Sequence, residues 1–389
     1  MRAVHQAEAQ VVRIGRGRAT RYGLRDVWPG LDGSRFPVFR VSEDGVAETA
    51  GEVVSLASRQ TVWMPSGSVS AGLPVQLADA RPSGFLGRRF AATHADLQLP
   101  VRPADWSDQH VLLAMSRRGE DLPGNLVLGD ESFTRWQSLD PGARTRDDYP
   151  ELADATIAGH SPGSLAGGER PKFGVCVAGQ HMLVKFAARS PDAAARRWCD
   201  LLVMEALALD VASSKGVPAA RAHIVAPPTH RFLESERFDR VGVRGRVAVL
   251  SLAAVYGDPA HSWARAAIEL RNAGRLSDDD ARHLRWLDAF GAFIGNTDRH
   301  HFKILFFPGR ARLRLAPAFD QAPMLYAPMA DGQVPVRTLA VPTASSDTLD
   351  VWDEARAAAR KFWGRARDDL RLSDDMRRVC SDNARALLE

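Results

Sequence analysis

The chain has 389 residues, 45% of them apolar and 25% charged, with a formal net charge of +4. That length and balance describe a globular protein of two domains, or one large domain with an appendage, whose core needs neither disulfides nor structural metal. Charge alone does not demand nucleic acid, although the 51 basic residues, mostly Arg, can form local patches for phosphates.

Residues 1–27 are basic and short on core. Val11-Val12-Arg13-Ile14 reads as a strand, Gly15 to Arg18 as a turn and Ala19 to Leu24 as a returning strand. The hairpin has an Arg-rich tip that suits phosphate contacts or simple solvation. The first residues lack the apolar core of a signal peptide, and no window approaches the ~18–20 apolar residues of a membrane helix. Cys176, Cys199 and Cys380 are far apart in the chain and read as reduced thiols, not as a disulfide or zinc framework. A cytoplasmic protein is expected.

Residues 28–100 carry many Gly and Pro and read as short strands and turns. Asp108 to Arg118 reads as a helix with Val111, Leu112, Leu113 and Met115 inward. Residues 137–170, rich in Pro, Gly, Asp and Ser, read as a long loop. Phe173 to Val177 and Met182 to Phe186 then form a predicted hairpin, followed by a helix over 193–215 and strands at 222–225 and 231–236. Beyond residue 260 the pattern is helical, at about 261–273, 278–294, 350–368 and 373–388. Ser277 before three Asp residues is a helix-start signal.

Four segments could carry chemistry. Gly295 to His301 places six polar residues between an apolar helix and a predicted strand, and Asp298 there could take a proton from an attacking hydroxyl. Asp320 follows the strand Leu313 to Ala316, so two Asp residues flank one hairpin at its open end. Phosphoryl-transfer enzymes bring a catalytic and a metal-holding Asp together in this way, and a carboxylate suits Mg²⁺. Lys185 sits among apolar strand residues and calls for a charged partner, for which Glu205 on the next helix is placed. Ser164 to Lys172 is small-residue-rich, as backbone approaching phosphate must be, yet it is neither GxxxxGK[ST] nor GxGxxG. Taken singly, each has a structural reading: a cap at Asn296, a turn aspartate, a strand-edge lysine, a solvated helix glutamate.

In order, these segments resemble the HipA-family serine/threonine kinases, the toxin-type kinases of bacterial toxin–antitoxin systems. Ser164 to Lys172 resembles SxAGxxPK, Met182 to Phe186 the lysine strand, and Glu236-Arg237-Phe238-Asp239-Arg240 matches ERFDR. Asn296 to His300 matches NTDxH, and Leu315 to Asp320 matches LAPxYD with Phe319 for Tyr. The resemblance implies an α+β, protein-kinase-like fold, with a small β-rich N-terminal part and a larger, mainly helical C-terminal lobe. The divisions implied are 1–27, a remnant wing or basic hairpin; 28–137, a β-rich subdomain; 138–240, the nucleotide-binding part; and 241–389, the helical lobe. Lys185, with Glu205, would bind ATP phosphates; Glu236 and Phe238 would present backbone to adenine; Asp298 would be catalytic; Asp320 would hold Mg²⁺. Ser164 would be autophosphorylated, and family targets include aminoacyl-tRNA synthetases. An antitoxin partner is also implied.

The N-terminal part is similar to the YjjJ-type branch, in which a winged helix precedes the kinase-like region. Here the sequence starts almost at the wing, so the resemblance does not carry DNA binding over. The departure lies at Lys303, where the family has an Asn that helps hold metal. A protonated lysine donates and cannot ligate Mg²⁺. Lys303 could neutralise phosphate charge, substitute for one ion, or mark a pseudokinase or nucleotide-dependent binding module. A DNA-associated regulator and, last, a hydrolase using His300, His301 and Asp298 are the other readings.

Overall fold

The computed structural model describes residues 11–388 apart from 16, 27–34, 58, 65, 83, 140–143 and 159–169. The fold is α+β, as the motifs led one to expect. Its described residues form two compact units.

The first unit gathers the described residues of Met1–Ala143, Ala155–Arg170 and Asp239–Ala248. A hairpin of β1 (Val11–Ile14) and β2 (Arg21–Leu24) buries Val12 and Ile14 against Val54, Leu56 and Val62. Arg16, at its tip, lies outside the described residues. Strands β3 (Arg35–Val41), β4 (Ala47–Leu56), β5 (Gln60–Met64), β6 (Ser68–Ala71) and β7 (Leu126–Leu128) form an antiparallel sheet in the order β6-β5-β4-β3-β7. Helices α1 (Gly84–Thr93), α2 (Asp108–Arg118) and α3 (Asp130–Ser138) accompany it. Ser107 caps α2 by accepting the His110 N–H. Helix α1 falls where the sequence reads as strands and turns. Two glycines in ten residues lower its intrinsic propensity, and burial of Phe90 and Ala91 in the core overrides that. Arg240 pins the Asp239–Ala248 stretch to this unit. Its guanidinium donates to Asp121 Oδ1 and Asp239 Oδ2 at 2.8 Å and to the carbonyls of Leu122 at 2.7 Å and Gly124 at 3.1 Å.

The second unit comprises Arg144–Asp154, Pro171–Phe238 and Val249–Glu389. Helix α4 (Tyr149–Ala158), of which Tyr149–Asp154 falls in this unit, lies in what reads as a long loop. Thr145 and Asp148 exchange capping hydrogen bonds ahead of it. Tyr149, Leu152 and Ala153 then pack on Phe173, Val184, Phe186 and Phe232, so tertiary burial rather than propensity makes the helix. Strands β8 (Lys172–Val177), β9 (Gln180–Ala188), β10 (Ala222–Val225) and β11 (His230–Glu236) form an antiparallel sheet in the order β10-β11-β9-β8. Register sets Lys185 of β9 opposite Lys172 of β8 and Leu233 of β11. Glu234, buried on β11, accepts from the Arg146 guanidinium at 2.6 and 2.9 Å and from the Tyr149 hydroxyl at 2.8 Å.

Asp192 caps α5 (Ala193–Ser213), whose inner face carries Glu205. A small sheet of β12 (Leu250–Ser251), β13 (Leu305–Pro308) and β14 (Leu313–Leu315) follows, with helices α6 (Leu252–Tyr256), α7 (Trp263–Asn272), α8 (Asp278–Phe293), α9 (Leu349–Asp368) and α10 (Asp374–Ala386). Ser277 caps α8 through the Asp280 N–H. The helices enclose Trp263, Trp286, Phe290, Phe293, Phe362 and Trp363, all fully buried. At about 1.5–3 kcal/mol for each large apolar side chain, this core holds the framework from which the site projects. Among the described residues, no helix is long and apolar enough to cross a membrane.

Candidate active site

Lys185 does not sit at a strand edge facing water. Its side chain is 8% exposed, and its ammonium lies 2.7 and 2.8 Å from the two carboxylate oxygens of Glu205. Strand β9 delivers the cation and α5 the anion, and both are buried because their elements pack face to face within one unit. Burial raises the Glu205 carboxyl above its ordinary range, while the Lys185 charge opposes that shift.

The two candidate aspartates do flank the β13–β14 hairpin. Asp298 lies on the loop between α8 and the 3-10 turn His301–Lys303. Its N–H donates to Asn296 Oδ1 at 3.0 Å. Asn296 is buried, and its own N–H group reaches Gln321 Oε1 at 3.4 Å. Arg299 braces the same loop, donating to Asp288 Oδ1 at 3.2 Å and to the Asn296 carbonyl. Asp288 Oδ2 accepts the Ala264 N–H at 3.1 Å, which ties the brace to the start of α7. The brace needs Gly291: a Cβ there would stand 2.7 Å from Arg299 Cδ. Trp263 Nε1 donates to the His300 carbonyl at 3.3 Å. The loop is therefore rigidly held, while Asp298 itself is 44% exposed and open to a reactant.

Asp320 stands at the centre. It adopts φ +55°, a left-handed conformation that Asp tolerates better than most residues and that is often found at functional sites. One of its oxygens accepts from Lys185 and the other from Lys303. Lys303 also reaches Asp298 Oδ2 at 3.0 Å, so its ammonium bridges the two aspartates. Burial alone would raise the Asp320 carboxyl. The Lys185, Lys303 and Lys172 charges outweigh burial and hold it well below the ordinary carboxylate range. Burial likewise opposes the charge on Lys303, yet Asp320 and Asp298 raise its pKa above the ordinary lysine value. His300 Nε2 lies 3.6 Å from Asp298 Oδ1; burial and Lys303 lower its pKa, against the pull of the two aspartates.

The structure thus brings Lys185, Glu205, Asp298, Lys303 and Asp320 into one network. Phe238 adjoins it: its ring meets Phe319, next to Asp320 in the chain, at 5.9 Å and Phe307 at 6.0 Å. Glu236 closes β11, its N–H donating to the Arg221 carbonyl at 3.0 Å and its carboxylate 3.9 Å from the Arg221 guanidinium. Ser164 lies outside the described residues.

Two groups of participants escaped the sequence reading. The Asn296–Gln321 and Arg299–Asp288 contacts are one; they depend on conformation that spacing does not reveal. Lys172 is the other. It is fully buried across from Lys185, and burial pushes its ammonium down to about 7 despite the attraction of Asp320. A sequence signal for it exists. The chain has only five lysines; Lys215 and Lys361 are exposed, whereas Lys172, Lys185 and Lys303 are all buried around Asp320. In a chain that otherwise uses Arg, a lysine marks a place where a compact point charge is wanted.

Mg²⁺ takes carboxylate, phosphate and water oxygens in an octahedron. Beside substrate phosphates it needs only one or two carboxylates, here Asp298 and Asp320. Both oxygens of Asp320 and one of Asp298 already accept from ammonium groups. As arranged, the residues do not fit the ion.

Residues 32–137 match the model of the YjjJ-like toxin middle domain, and residues 164–387 match that of the HipA-like C-terminal domain. The chain is 30% identical over 399 residues to toxin YjjJ of Escherichia coli (strain K12), covering 96% of this chain and 88% of the relative. Among solved structures, it is similar to the HipA of Shewanella oneidensis MR-1, determined as part of a toxin–antitoxin complex with HipB and operator DNA. The TM-score is 0.56 at 13% identity, over 90% of this chain and 96% of that one.

Proposed function

This chain belongs to the HipA-like toxin family, in its YjjJ branch, and from that premise we propose that it is a toxin-type kinase transferring the γ-phosphoryl group of ATP to a protein serine. The observation that carries the reading is the Lys185–Glu205 ion pair set against Asp320 and Asp298. A strand lysine held by a helix glutamate positions nucleotide phosphates, and catalysis in such a site is chiefly positioning and electrostatics.

In the proposed reaction the serine Oγ attacks the γ-phosphorus and the bond to the β,γ-bridging oxygen breaks. Asp298, braced by Asn296 and exposed on the reactant side, orients the hydroxyl and accepts its proton. Lys185 and Lys172 supply positive charge to the phosphates, and ADP leaves. The backbone at Glu236 and Phe238 would meet adenine, with Phe238 and Phe319 as its apolar wall. Asp320, the residue expected to hold metal, here orders the lysines. Ser164 remains the candidate for autophosphorylation. A cytoplasmic setting, an antitoxin partner and an aminoacyl-tRNA synthetase as substrate belong to the same proposal, the last two by analogy with the family.

Lys303 favours a second reading, nucleotide binding without turnover. Incubation of the purified protein with γ-labelled ATP and a bacterial lysate separates the two. The kinase reading expects label on protein serine, lost in Asp298→Asn with nucleotide binding retained. Bound nucleotide with no transfer would leave only the second reading.

A further inference from the structure

We propose that Lys303 stands in for a divalent cation: its ammonium, bridging Asp298 and Asp320, neutralises both carboxylates and directs its remaining N–H toward a nucleotide phosphate. The inference rests on the kinase reading for the identity of its ligand.

Three observations carry it. First, the side chain that replaces a metal-ligating Asn is not turned away to solvent; Lys303 is 7% exposed and contacts both aspartates. Second, an ammonium has three donors, and two are used on Asp298 and Asp320, which leaves one for an oxygen of the substrate. Third, the aspartates have partners without metal. Lys185 and Lys303 contact Asp320 and Lys303 also contacts Asp298, so both carboxylates are already matched by buried ammonium groups. A divalent ion entering this network would have to displace Lys303 from both of its carboxylate partners, and an unpaired buried charge is costly.

Two measurements test the inference. Mn²⁺ titration of the nucleotide-free protein, followed by electron paramagnetic resonance, needs no variant. The expected result is no uptake by the wild type at micromolar Mn²⁺, and one ion bound by Lys303→Asn at least about tenfold more tightly. Uptake by the wild type that Asp320→Asn abolishes would overturn the proposal. The second measurement is the affinity for a fluorescent ATP analogue in EDTA and in Mg²⁺. The wild type should differ by less than about threefold between the two, and Lys303→Asn should weaken by about tenfold in EDTA and recover in Mg²⁺. A wild type that requires Mg²⁺ to bind would also overturn it. If neither protein binds the analogue, the kinase reading fails, and the Mn²⁺ titration still decides what Lys303 does.

Discussion

Replacing Lys185 with Met removes a buried cation and leaves Glu205 without its nearest partner. The two oxygens of Glu205 lie 2.7 and 2.8 Å from the ammonium. At an effective dielectric constant near 20, a unit pair at about 3 Å attracts by roughly 5 kcal/mol. Breaking a buried pair on one side costs about 3–5 kcal/mol, because the remaining charge stays desolvated. Asp320 is less affected, since Lys303 still holds it. Glu205 escapes the penalty only by taking up a proton. Burial already raises its pKa, and loss of Lys185 raises it further. A carboxyl whose folded pKa exceeds its unfolded value binds the proton more tightly in the folded state. The penalty is therefore full above the folded pKa and disappears below the ordinary carboxylate range, by about 1.4 kcal/mol per pH unit between them. Urea unfolding of wild type and Lys185→Met, paired at each pH from 8 to 5, reads the difference directly. The Lys185→Met, Glu205→Gln double variant should lose less than the two single losses added. A penalty below about 1 kcal/mol, one that does not change with pH, or full additivity would refute the reasoning.

Two further outcomes are expected. Arg146→Met should destabilise by about 1–2 kcal/mol at pH 7, discounted because half of the Arg146 side chain faces water. Burial opposes ionisation of Glu234, but Arg146 and Tyr149 outweigh it and lower its pKa; the contribution is thus full above the ordinary carboxylate range and lost as pH falls through the depressed value. Melting curves of both proteins should accordingly converge in acid. On the proposed kinase reading, Asn296→Ala removes the acceptor of the Asp298 N–H and should slow phosphoryl transfer by more than tenfold while nucleotide affinity changes little; equal losses in both would place Asn296 in general stability instead.

Much of the site could be read along the chain because its residues stand in settings that surface residues do not occupy. Lys185 between apolar neighbours, and Asp298 within a polar run between two buried elements, are anomalies that periodicity exposes. Lys303 drew notice only as a departure from a motif; that it bridges two aspartates depends on how a hairpin folds back over 17 residues. The Lys185–Asp320 contact spans 135 residues and has no local signature at all. Lys172 was hidden for a different reason. A lysine after Pro171 at the start of a strand resembles a solvated edge, and only the register with Lys185 reveals its burial. Helices α1 and α4 were missed because Gly, Pro and polar residues dominate their neighbourhoods, while a few buried contacts decide their state. The long helices α5, α8 and α9 followed their sequence patterns closely.

The anchoring of Arg240 has a consequence for how this toxin is made. Its guanidinium fills acceptors at Asp121, Leu122 and Gly124, and Arg240 follows Gly124 by 116 residues in the chain. At translation rates of about 5–20 residues per second, those acceptors wait roughly 6–23 s on the ribosome before their partner is synthesised. A prematurely terminated product that stops short of Asp239 leaves buried carbonyls without a donor and a unit that cannot close. Such a fragment would be a substrate for quality-control proteases rather than a stable partial toxin. Completion of the first unit is thereby tied to synthesis of the Lys185 strand and its Glu205 helix, which come off the ribosome before the chain returns to finish it.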